Sequence, residues 1–131
     1  MLHVNQQLAH LRDVNGYTEA AASYKEYFHT EGKKFLHDVA KAVGIPTGTY
    51  DVRNNKGGMA VSGEVTLHSD RIYVQLQESS LHDGIDVLFR TVKNRGDYVG
   101  GVNHRIPLSY IAEDGTERLD FIRRLQNLGG Y

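Results

Sequence analysis

The stretch Arg53-Asn54-Asn55-Lys56-Gly57-Gly58, continued by Met59-Ala60-Val61-Ser62-Gly63-Glu64-Val65-Thr66-Leu67-His68, reads as a glycine-rich polar turn feeding an alternating strand. Met59, Val61, Val65 and Leu67 recur with period two, and Ala60, Ser62, Glu64, Thr66 and His68 take the other side. One apolar row and one polar row mark a half-buried antiparallel strand. Ser69-Asp70 then reads as a hairpin turn, after which Ile72, Val74 and Leu76 point inward and Tyr73, Gln75 and Gln77 outward. Upstream, Thr49–Arg53 alternates as well, with Tyr50 and Val52 on one side and Asp51 and Arg53 on the other.

Working outward, the period changes to that of a helix. Tyr24, Tyr27, Phe28, Phe35, Leu36, Val39 and Val43 share one stripe of a long helix. Thr18 is its expected N-cap, Gly44-Ile45-Pro46 its end, and Gly32 an interruption or kink. A first, weaker helix is expected over His3–Asp13, closed by Val14-Asn15-Gly16. On the other side, Glu78–Gly84 reads as a polar loop, Val87–Val92 as a further strand whose inward face stays open, and Arg95–Asn103 as irregular. A short strand is expected near Ile106–Ile111, followed by an Asp114-Gly115-Thr116 turn that caps a last helix. Leu119, Ile122, Leu125 and Leu128 form that helix's stripe, and Gly129-Gly130 ends it. The expected fold is α+β: an antiparallel meander of three to five strands, with N-terminal helices and a C-terminal helix on one sheet face. It is a single domain over 1–131, helical over 1–45, sheet over 47–111 and helix again over 115–128.

The bulk numbers agree with one domain: 131 residues bury roughly two-thirds of the unfolded surface. The absence of cysteine excludes disulfides and thiolate metal sites. No run of about 18 apolar residues exists, so no membrane partner is expected. The first residues lack the basic-then-apolar plan of a signal peptide, so a cytoplasmic location is expected. A formal charge of −1 argues against a nucleic-acid binder. Locally, Arg90, Lys93, Arg95 and Arg105 outweigh Asp97, a net of +3 between Phe89 and Arg105.

The polar side of the expected sheet gathers Arg53, Ser62, Glu64, Thr66, His68, Tyr73, Gln75 and Gln77, joined by Arg90. Arginine forks suit phosphate or carboxylate, tyrosine rings suit a base, and glutamine amides read polar edges. The segments Asn54–Gly58 and Lys93–Gly101 would let backbone amides approach an anion. A nucleotide-binding assignment therefore takes Arg53, Asn55, Lys56, Gly57, Gly58, Tyr73, Gln75, Gln77, Arg90, Arg95 and Tyr98 as ligand contacts. Simple solvation of a half-buried sheet, and a protein interface, account for the same pattern and stay open. His68 is the candidate general base, with Glu64 or Thr66 orienting it, if the face is catalytic; the alternative is a turn-adjacent surface histidine.

Several chemistries are excluded. Asn54–Gly58 lacks the spacing of a phosphate-binding P-loop, and Val61-Ser62-Gly63 lacks that of a nucleophile elbow. The seven histidines are scattered without metal-ligand spacing, so neither a metal nor another cofactor is expected.

Tyr50–Gly58, Ala60–His68, Tyr73–Gln75 and Lys93–Gly101 together resemble a group of small phage and prophage proteins of unassigned function, over about residues 47–103. The resemblance implies an accessory protein acting in a bacterial cytoplasm during infection. Proteins of that kind often inhibit host defence, by sequestering a nucleotide second messenger or by binding a defence protein. Three functions follow as expectations. The first is a sponge for a phosphorylated nucleotide, a homo-oligomer contacting itself through the tyrosine-rich long helix. The second is a metal-independent phosphodiesterase or lyase, and the third an inhibitor that binds a host factor.

Overall fold

The computed structural model describes residues 19–55, 63–79, 84–113 and 115–131, with the side chains of 19–25, 55 and 97–99 outside that description. The helix expected over His3–Asp13, the cap at Thr18 and the strand start at Met59–Ser62 lie outside the described residues. Within them the chain is an antiparallel sheet with an N-terminal and a C-terminal helix on one face, the expected α+β fold.

Helix α1 spans Glu19–Val43. Phe28, Phe35, Leu36, Val39, Ala40 and Val43 fall on one face at three-, four- and seven-residue spacings and are all buried. Gly44, at φ +93°, turns the chain out of the helix. The Gly44 and Ile45 amides both donate to the Ala40 carbonyl, at 3.1 and 3.0 Å, closing the last turn. Gly32 sits inside a continuous helix and does not interrupt it. It packs directly on the sheet: a Cβ there would lie 3.1 Å from Val65 Cγ2.

Among the described residues, six strands fill five positions. β1 (Tyr50–Asn55), β2 (Glu64–Ser69), β3 (Ile72–Glu78) and β4 (Ile85–Asn94) follow in order. The free edge of β4 is then shared end to end by β5 (Asp97–Gly100) and β6 (His104–Pro107). The irregular segment expected over Arg95–Asn103 is thus corrected: Val92 pairs with Gly100 and Asn94 with Asp97, across a bulge. Two glycines make that pairing possible, because a side chain on Gly100 would strike the Thr91 carbonyl and one on Gly101 the Thr91 hydroxyl. Their lack of side chains serves this crossing, and Gly101 donates its amide to the Thr91 carbonyl at 3.1 Å.

The register fixes the faces. Val52, Leu67, Val74, Phe89 and His104 form one lateral row on the helix side. Helix α2 (Thr116–Gly129) covers the β4 end of this row, with Phe121 edge-on to Phe89 at 5.4 Å. Its buried stripe is Phe121, Leu125 and Gly129. The expected stripe is corrected accordingly: Leu119 is exposed, and Ile122 and Leu128 only flank the core. The helix starts at Gly115 without a side-chain cap and ends on Gly130 at φ +67°. Tyr131 folds back, its hydroxyl donating to Ser69 Oγ at 3.0 Å, while Arg71 Nη1 donates to the Gly129 carbonyl at 3.0 Å. The last residues are thereby tied to the β2–β3 turn.

Candidate functional site

The sheet face opposite α1 and α2 carries three lateral rows. Asp51, His68, Tyr73 and Arg90 form the first. Arg53, Thr66, Gln75, Leu88 and Arg105 form the second, and Asn55, Glu64, Gln77, Asp86 and Pro107 the third. Strand alternation alone places these residues on one face, but only the antiparallel register sets their neighbours.

This face is not the simple solvated surface that alternation suggests. Thr66, His68 and Tyr73 are 7, 6 and 5% exposed, and Asp86 and Leu88 are buried beside them. A surface histidine at 68 is corrected to a buried one. Among the described residues, the His68 ring stands edge-on to the Tyr73 ring, with centroids 5.2 Å apart, and the Arg90 guanidinium lies 4.4 Å above that ring. Thr66 Oγ1 lies 2.9 Å from His68 Nε2, and 3.4 Å from the Arg53 carbonyl to which it donates. Along β3 a second chain of bonds runs the length of the face. Tyr73 Oη donates to Gln75 Oε1 at 2.5 Å, and Gln75 Nε2 donates to Gln77 Oε1 at 2.7 Å. Side chains held this way keep one rotamer each, so the face is preorganised for directional recognition.

Burial pushes the His68 imidazole down to about 4, helped by the positive charges of Arg53 and Arg90 and opposed by Asp51. The ring is therefore neutral at pH 7 and a weak proton acceptor. It fits better as a hydrogen-bonding and packing group than as a general base.

Arg53 and Arg95 converge on Asp51, while Arg90 lies across β2 and β3, on β4, over the Tyr73 ring. Arg53 Nη2 donates to Asp51 Oδ2 at 3.2 Å. Arg95, in the β4–β5 hairpin, donates to the Gly48 carbonyl at 3.3 Å and sits 3.9 Å from Asp51 and 3.8 Å from Asp70. Arg90 donates to Asn103 Oδ1 at 3.0 Å. Glu64 and Gln77 face each other at the far end, away from the arginines. Asn55 and Tyr98 are placed only by their backbones in β1 and β5. Lys56, Gly57, Gly58 and Ser62 lie outside the described residues. Asp51, Asn103, Asp86, Leu88 and Arg105 were not among the expected site residues, although Arg105 stands in the basic window. Asp51 had a signal, its alternation with Arg53; the others join the face only through register and the β4–β6 pairing.

Two clefts of about 330 and 260 Å3 lie elsewhere, between the 3₁₀ turn Leu108–Ile111 and α2. Glu113 and Glu117 line the first, and Glu117, Asp120 and Arg124 the second, a net negative charge in each that disfavours phosphate. Among the described residues, no group of three His, Asp or Glu side chains is placed to hold a metal ion. No described helix is long and apolar enough to cross a membrane. No family model, curated protein or solved structure matches the chain.

Proposed function

We propose that the protein is a phage accessory protein that binds and sequesters a phosphorylated nucleotide on its open sheet face, in the cytoplasm of an infected bacterium. The observation that carries this reading is the Arg90–Tyr73–His68 stack, flanked by Arg53 and Arg95. It supplies a cationic plane on which a base can stack, with the Arg90 guanidinium seated on the buried Tyr73 ring. The arginine forks beside it, now held by Asp51, are free to re-pair with a phosphate, which presents more acceptor oxygens than one carboxylate. Gln75 and Gln77 read polar edges of the ligand.

A second reading, a metal-independent phosphodiesterase or lyase, draws on the Thr66–His68 contact, which orients the ring as a catalytic histidine would need. The low basicity of His68 weighs against it.

One experiment separates these. The protein is incubated with a panel of cyclic dinucleotides, cyclic trinucleotides and ADP-ribose derivatives, filtered and heated, and both fractions are chromatographed. Sequestration removes one nucleotide from the filtrate and returns it intact on heating. Arg53→Ala and Arg90→Ala are each expected to weaken that capture by about tenfold or more, the loss of one charge-assisted bond. A converted nucleotide whose conversion is lost in His68→Ala supports the enzyme. No change in any compound leaves a host protein as the target, to be sought by pull-down.

A further inference from the structure

We propose that β1 is a self-association edge: two copies pair antiparallel through Tyr50–Asn54 about a two-fold axis at Val52. This rests on the strand and not on the nucleotide reading, and it moves the self-contact from the long helix to the sheet.

Among the described residues β1 ends the sheet, with β2 on one side and no strand on the other. A terminal strand leaves alternate backbone N–H and C=O groups facing out. Which ones follows from Arg53, whose carbonyl faces β2, where Thr66 Oγ1 donates to it. By alternation, Asp51 and Arg53 turn their backbones to β2, and Tyr50, Val52 and Asn54 turn theirs to the free edge.

Only even-numbered residues can then exchange backbone bonds with a second copy, which leaves few registers. Shifting the axis to residue 51 sets two Asp51 side chains opposite each other, and shifting it to residue 53 does the same for Arg53. Both are repulsive. With the axis at Val52, Asp51 of each copy faces Arg53 of the other on the open face, so two opposite-charge pairs form. Val52 meets Val52, and Tyr50 meets Asn54, on the helix side.

Two further observations agree. Tyr50 and Val52 pack against the core yet are only half-buried, so the apolar layer is unfinished at this edge and a second copy would continue it. Asp51 and Arg53 are 47 and 49% exposed and already 3.2 Å apart, so exchanging the pair between copies needs little movement. Edges guarded against pairing often carry lysine or proline; Tyr50–Asn54 has neither, and its two charges are of opposite sign in a self-complementary order. By contrast Tyr27 of the long helix packs on the chain's own core. The paired sheets would set the two open faces side by side across the axis.

Sedimentation equilibrium of the full chain, without ligand, tests this. The wild type should be dimeric. Asp51→Arg and Arg53→Asp should each weaken dimerisation by about tenfold or more, since each turns two attractive pairs repulsive. Mixing the two single variants should restore association, as a heterodimer, and the double variant D51R/R53D should dimerise by itself. Recovery on mixing or in the double variant excludes misfolding as the cause. A monomeric wild type overturns the proposal, as do single variants that stay dimeric, or folded variants (by circular dichroism) that fail to recover on mixing.

Discussion

At the scale of single residues, His68 decides what the open face is. Its alternation in β2 was legible, since Glu64, Thr66 and His68 had to share a side. Its burial was not, because that depends on Tyr73 and Arg90, supplied by strands whose register no local pattern states. The low proton affinity has a thermodynamic consequence. The folded pKa is about 4 and the ordinary value 6.5, so between these the unfolded chain takes up the proton and the folded one does not. Stability from this residue is complete above pH 6.5 and falls as pH drops toward 4. The shift corresponds to at most about 3 kcal/mol, less where solvent screens the arginine charges. Urea unfolding of wild type and His68→Gln across that window is expected to show a steeper loss in the wild type. Equal slopes in both would mean that His68 is solvated like any surface histidine.

At the scale of elements, helix α1 and strands β1 to β4 follow from periodicity, and the discrepancies cluster at β5 and α2. The segment Arg95–Asn103 looked irregular because glycine usually breaks strands. Gly100 and Gly101 instead permit β5 to cross tightly over Thr91, a contact visible only once β4 and β5 are side by side. Gly100→Ala is therefore expected to destabilise the fold by about 1–3 kcal/mol, since its Cβ meets rigid backbone. Denaturant midpoints measure this, and an unchanged midpoint would show that β5 does not pair as described. In α2, Leu119 fitted a helical stripe as well as Phe121 did. The position of β4 chose between them, because Phe89 offers its ring to Phe121.

At the scale of the whole molecule, two tie points hold distant parts together. Gln126 Nε2 donates to the Val43 carbonyl at 3.2 Å, joining α2 to the end of α1. Tyr131 and Arg71 join the last residues to the β2–β3 turn. The Tyr131 hydroxyl meets Ser69 Oγ, which also accepts the amide of Ile72 at 3.0 Å. Tyr131→Phe is expected to lower stability by about 1 kcal/mol, one net hydrogen bond, and removal of residues 130–131 by more. Thermal melts of the two proteins should rank in that order; identical melts would mean that the tail does not brace the turn.

Periodicity and turn chemistry were enough to state the α+β class, the long helix, the alternation that separates the two sheet faces, and most members of the polar set. Each of these is a local property, set within a few residues by side-chain spacing and backbone preference. The lateral rows, the burial of His68 and Tyr73, the ion pairs of Arg53 and Arg95 with Asp51, and the shared edge of β4 belong to the tertiary structure alone. They depend on which strand lies beside which and in what register. That choice is made by long-range packing of the helix-side rows under α1 and α2, and no single segment of the chain carries it.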